Sequence, residues 1–126
     1  MRNAILSILI FILTITCVYF LNNSILKLCD NISSQAEDIE SKITSDKMEE
    51  AYSQSLELLN FIEENNNITS IYLSHQEFDN LLDESVRLCT YLVHENATDA
   101  HTSLHLVKHS IEHIKKLQMP NFENIL

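Results

Sequence analysis

Not one of the 126 residues of this chain is glycine, and only one is proline. Glycine turns a backbone through positive φ and lets it approach a phosphate closely. Its absence excludes the glycine-rich phosphate loop and the dinucleotide fingerprint. A sheet protein of this length would normally need glycine in several turns. Zero glycine, with frequent Leu, Ile, Glu, Ser and Asn, favours an all-helical chain. The formal charge of −10 argues against nucleic acid as a partner, because a phosphate backbone is bound by cations. The length suits one small domain plus a targeting segment.

The first stretch is MRNAILSILIFILTITCVYFLNN. No charged side chain occurs from Asn3 to Leu26, and Ala4 to Leu21 form an almost unbroken apolar run. A helix over that run spans roughly 27 Å, close to the hydrocarbon thickness of a bilayer. Ser7, Thr14 and Thr16 are tolerable there, since their hydroxyls can bond back to the helix. A cleaved signal ends its apolar core with small residues of A-x-A type. This one ends CVYFLNN, without such a site, and the TIT before Cys17 lacks the residues of a lipoprotein cleavage site. Residues 1–24 are therefore expected to form an uncleaved signal-anchor, ahead of cleavage and of a buried core helix. Arg2 and the free amine are the positive charges at the N-terminal end, which places the N-terminus in the cytoplasm and the rest outside. Lys27, just past the far end, weakens this only slightly.

Residues 25–126 read as an extracytoplasmic helical bundle. Ile25, Cys29, Ile32, Ala36, Ile39 and Ile43 alternate steps of four and three, the seam of a packed helix, so the anchor is expected to continue straight into it. A second helix starts with a capping-box-like Asp46 and Glu49 and carries the stripe Met48, Tyr52, Leu56, Leu59, Ile62. ENNNIT reads as a turn. A third helix runs from near Thr69 to His94 with the stripe Ile71, His75, Phe78, Leu82, Ser85, Cys89, Leu92, widened by Leu81, Val86 and Val93. Asn96 or Thr98 caps a fourth helix that runs to about Met119, where Pro120 stops it, with Lys115 and Lys116 suiting its last turns. The fold class is thus all-α, an N-terminal transmembrane helix continuing into an antiparallel up-and-down bundle of about four helices. That topology returns the C-terminus toward the membrane. There Phe122, Ile125 and Leu126 either touch the lipid interface, cap the core or fray.

From Asp30 to Asp99 there are 16 acids and three bases, Lys42, Lys47 and Arg87. The last helix, richer in bases, is thereby set in an acidic surround, although such charge commonly does no more than keep a domain soluble. That helix holds His101, His105, His109 and His113 at strict four-residue spacing. Each step turns the helix by about 40°, and the ladder lies about 110° or more from the centre of the face formed by Ala100, Leu104, Val107, Ile111 and Ile114. These four histidines are the candidate metal or proton ligands. A closed zinc site needs three or four donors converging from different directions, and the other histidines outside the ladder are His75 and His94. A solvated stripe is the simpler reading. Imidazole changes charge near pH 6.5, so four together add up to about +4 on acidification.

His75 reads as a boundary residue bonding a neighbour such as Asp79. Cys17 falls in the apolar run, and Cys29 and Cys89 read as separate buried thiols, poorly placed for a disulfide. No nucleophile–base pair with a supporting motif is present. Asp79, Asp83, Glu77, Glu84, Glu63 and Glu64 read as solvated carboxylates. No catalytic residue, no cofactor and no enzyme activity is expected.

The anchor, LSHQEFDNLLDESVRL and HTSLHLVKHSIEHIKKLQMPNFENIL together resemble a domain-of-unknown-function family of small single-pass proteins, mostly from clostridia and related spore-forming bacteria. The resemblance covers nearly the whole chain. Its most specific part is the ending, a helix with a histidine-rich face, then HIKKLQ and a short hydrophobic tail. It implies a membrane-anchored helical protein and no activity. A bacterial origin would make the N-x-S/T matches at Asn22, Asn31, Asn67 and Asn96 chance occurrences in an Asn-rich chain. The expected role is structural, scaffolding or protein-binding, with an unknown protein partner, and the seams equally allow self-association. The alternative is a pH- or metal-responsive module using the His101–His113 face.

Overall fold

A computed structural model describes residues 1–119, the side chain of Tyr72 apart. The proline stop expected at Pro120 and the NFENIL tail lie outside the described residues. The described chain forms five helices and no strand: α1 (Arg2–Thr44), α2 (Met48–Glu64), α3 (Asn66–Tyr72), α4 (His75–Val93) and α5 (Ala97–Gln118).

α1 runs unbroken for 43 residues; it holds neither proline, which would remove a backbone donor, nor glycine, the next weakest helix former. Its two halves differ in surroundings. Residues 2–20 are exposed throughout, and this half has the length and apolarity to cross a membrane or to serve as a signal sequence. From Ile25 onward the seam is buried at every expected position, with Leu28 added. This half packs against α2 and α5, and α4 packs against the same two, so the bundle closes in the order α1, α2, α4, α5 with each helix antiparallel to its neighbours. Its core joins Ile32, Ile39, Leu58, Leu81, Leu88, Leu104 and Ile111.

The α2 stripe is rotated from its expected position. Ala51, Ser55, Leu58 and Ile62 are buried, Met48 and Tyr52 lie at the margin, and Leu56 is exposed. Size misled: Ala51 and Ser55 sit on the seam because small side chains let neighbouring helices approach, with the Ser55 hydroxyl donating to the Tyr52 carbonyl at 2.7 Å. ENNNIT is a turn only at Asn65. Asn66–Tyr72 forms α3, which buries Thr69, whose hydroxyl donates to the Asn66 carbonyl at 2.9 Å. The third long helix consequently starts at His75. Extended backbone at Leu73 and Ser74 breaks the helix, and a capping box restarts it. In that box Ser74 Oγ accepts from the Glu77 N–H and Glu77 Oε2 accepts from the Ser74 N–H, both at 3.2 Å. Ile71 and His75, expected on the stripe, are exposed. On α5, Asn96 is the cap, its side chain accepting from the Asp99 N–H at 3.2 Å.

The expected Asp46 capping box does not form. Asp46 sits at φ 58° and ends α1, so that it cannot start α2. The Lys47 N–H donates to the Lys42 carbonyl (2.9 Å) and the Asp46 N–H to the Ile43 carbonyl (3.1 Å), the paired bonds of a Schellman ending. The end of α4 repeats it: Glu95 is at φ 55°, with Asn96 bonded to Tyr91 and Glu95 to Leu92. Both corners put a side chain where glycine is usual, at a steric cost of about 1–2 kcal/mol each. Glu95→Gly is therefore expected to stabilise the bundle by roughly 0.5–1 kcal/mol, part of the relief being lost to a more flexible unfolded chain. Glu95→Val should destabilise it, and chemical unfolding of the two variants measures both.

Candidate functional site

α5 positions the ladder. Ala100, Leu104, Val107, Ile111 and Ile114 are buried against α1 and α4, and this turns His101, His105, His109 and His113 to the surface, where all four are exposed. The ladder does not run straight down that surface. It drifts about 40° per step and so crosses from one helix boundary to the other. At the α1 boundary His101 and His105 line a shallow cleft with Glu40, Thr102 and Leu106. At the α4 boundary His109 and His113 line another with Glu77, Asn80 and Ser110, where His113 Nε2 lies 3.7 Å from Glu77 Oε1.

The four rings are spread along about 18 Å of helix, too far for one ion to collect more than an adjacent pair. Among the described residues no group of three or more His, Cys, Asp or Glu is placed to hold a metal. The ladder is two half-sites, each facing one carboxylate.

Both carboxylates come from other helices; Glu40 was not singled out in the sequence, and Glu77 was read there only as a solvated carboxylate. Glu40 lies on α1 beside the seam residue Ile39. Lys108 Nζ donates to its Oε2 at 2.8 Å. That bond, with smaller help from the charge of Lys108 and from His101 and His105, holds the Glu40 carboxyl below the usual range. Lys115 similarly reaches Asp30, and this bond holds the ammonium above its ordinary value. The basic residues of α5 thus meet an acidic α1. Glu77 has two tasks, since its Oε2 caps α4 while its Oε1 faces His113.

The Glu40 shift fixes a sign. A carboxyl held below its ordinary 4.5 contributes stability that is present above that value and is lost as the pH falls through the folded one. The pair is only partly covered, with the two side chains 28 and 38 % exposed, so screening keeps the effect below about 1 kcal/mol. Glu40→Gln is expected to be less stable than the parent at pH 6 and equal to it near pH 3, as checked by urea unfolding at the two pH values.

The cysteines are free. Burial pushes the Cys29 thiol up to about 11 and raises that of Cys89, which keeps both protonated and unreactive. Cys17 is exposed on the apolar half of α1. His75 and His94 lie at the surface at opposite ends of α4.

Fold and site together define an all-α bundle built onto a long apolar N-terminal helix, with a histidine stripe across one surface helix. The model of the Domain of unknown function (DUF4363) family matches residues 19–125, and the chain belongs to that family. No curated protein and no solved structure matches it.

Proposed function

We propose that this chain is a single-pass membrane protein. Residues 1–24 act as its anchor, with 4–21 in the bilayer and the N-terminus in the cytoplasm, and residues 25–126 form an extracytoplasmic bundle that scaffolds or binds another protein. The observation that carries this reading is the division of α1. One half is buried on a single seam; the other is apolar on every side and is not buried against any of the described residues. A helix apolar all round cannot be covered by docking one face and needs an apolar medium. The hydroxyls of Thr14 and Thr16 support it, donating at 2.8 Å to the carbonyls of Ile10 and Ile12, so that neither presents a free donor to lipid. Arg2 supports the orientation.

A binding role rather than catalysis fits a glycine-free chain without a nucleophile–base motif. The α1–α2 groove, lined by Asp38, Glu57, Glu64, Gln54 and Phe61, offers a basic partner both charge and an apolar contact. In the expected result the chain resists alkaline extraction from native membranes, and protease added outside the cell removes the bundle. Recovery of the chain in the soluble fraction, or protection of the bundle inside sealed cells, would overturn the reading.

The 3.7 Å approach of His113 to Glu77 favours a second reading, a pH- or metal-responsive face. Calorimetry with Zn²⁺, Ni²⁺ and Cu²⁺ on the full chain in micelles, parent against the variant with all four ladder histidines replaced by alanine, decides it. Equal affinities remove it.

A further inference from the structure

The two ends of the bundle differ in chemistry. The end remote from Met1 holds the α1–α2 and α4–α5 corners, where Asp46, Lys47, Glu49, Glu50 and Glu95 surround one depression. The end next to the apolar half of α1 holds α3, and from Asn65 to Gln76 there is no Asp, Glu, Lys or Arg in a chain of net charge −10.

α3 packs against α1, α2 and α4. It turns Thr69 inward and Ile68 and Ile71 outward, and Ile71, 70 % exposed, is the most exposed large apolar side chain described after α1. Leu117 and Met119, at the end of α5, are exposed as well. The contacts Lys115–Asp30 and His113–Glu77 fix the level. They bring the last turns of α5, the first turn of α4 and the start of the α1 seam into one layer. Leu21, where the apolar run ends, lies about 6 Å along the helix from the first seam residue, Ile25.

We propose that the uncharged segment from Asn65 to Gln76 seats on the bilayer, with α3 as an interfacial element that places Ile68 and Ile71 at the boundary of headgroups and acyl chains. The inference rests on the reading of residues 4–21 as a membrane span. Because α1 has no break, that span sets the bilayer surface at the level of Asn22 to Ile25, beside the element that α3 contacts. An apolar face lying in the interface sinks about 5–10 Å into it, within reach of side chains in this layer. Carboxylates on α3 would be dehydrated and repelled by anionic lipids, and the segment from Asn65 to Gln76 carries none, with Glu63, Glu64 and Glu77 at its borders. A second copy of the chain would account for exposed isoleucines but not for the absence of charge along the segment that carries them.

The chain has no tryptophan, so single insertions report their own surroundings. Full-length Ile71→Trp, Val93→Trp and Phe20→Trp are reconstituted into vesicles of phosphatidylcholine and phosphatidylglycerol whose acyl chains carry bromine. All three sites are exposed, and circular dichroism checks that helicity is kept. The expected result is quenching and a blue shift for Ile71→Trp and Phe20→Trp, while Val93→Trp, at the remote end, is quenched only by aqueous iodide. Iodide quenching without bromolipid quenching at Ile71→Trp would overturn the inference and leave the anchor standing, provided Phe20→Trp is quenched. Protection of Ile71→Trp from both agents means a protein cover and overturns it too. Should Phe20→Trp escape bromolipid, the anchor reading falls and this inference with it.

Discussion

Leu88→Ala is expected to remove about 2–5 kcal/mol from the stability of the bundle. Leu88 lies in the middle of α4 at 0 % exposure, facing the core shared with Leu58 and Leu104. The substitution strips buried methyl groups and leaves a cavity that rigid helices fill only in part. Domains of this size are stable by about 5–15 kcal/mol in total, so the loss would be plain in urea unfolding followed by circular dichroism. The contrast with Leu56→Ala is the sharper test. Leu56 is 37 % exposed, and its truncation is expected to stay within about 0.5 kcal/mol of the parent. Equal losses at the two positions would mean that α2 presents to the core the face carrying its largest side chains, contrary to the packing found here.

The second large effect is expected from Ile12→Arg combined with Leu13→Arg. Both residues lie at the centre of the exposed apolar half of α1, away from the described part of the bundle. Each arginine at the centre of a span costs about 2.5–3.5 kcal/mol for insertion and forfeits a few tenths contributed by the residue it replaces. The pair together costs about 6 kcal/mol or more, enough to abolish membrane retention. Fractionation should move the chain from the membrane pellet to the supernatant, whereas Ile5→Arg, near the end of the run, should stay in the pellet. A doubly substituted chain that still resisted alkaline extraction would count against residues 4–21 as the anchor.

The α1 seam was fully legible in the sequence because its register is carried mainly by large apolar residues over consecutive heptads. α2 was not, because part of its seam is Ala51 and Ser55, which hydrophobic periodicity undervalues. α3 was hidden in NNNITSIY, where asparagine suggested a turn and the burial of a single threonine was invisible. The exposure of the four histidines followed from helical angles alone. Their neighbours did not, since placing Glu40 beside His101 or Glu77 beside His113 requires the register between helices, which no single helix encodes. Asp46 failed for a related reason. An Asp followed three residues later by Glu reads as a helix start, but the Schellman bonds back to Lys42 and Ile43 took that residue first. With no glycine in the chain, nothing marked the site as a helix end.

The unbroken course of α1 has a mechanical consequence. A domain joined to its N-terminal segment by a flexible linker swivels freely, but here the apolar half of α1 and the first bundle helix are one rod without glycine or proline. Tilt, twist or piston movement of the lower half is delivered undiminished to the seam at Ile25. Azimuth is locked as well: one residue inserted between Leu21 and Ile25 would lift the bundle by about 1.5 Å and swing it by about 100°, carrying α3 and the histidine stripe round to face a different direction.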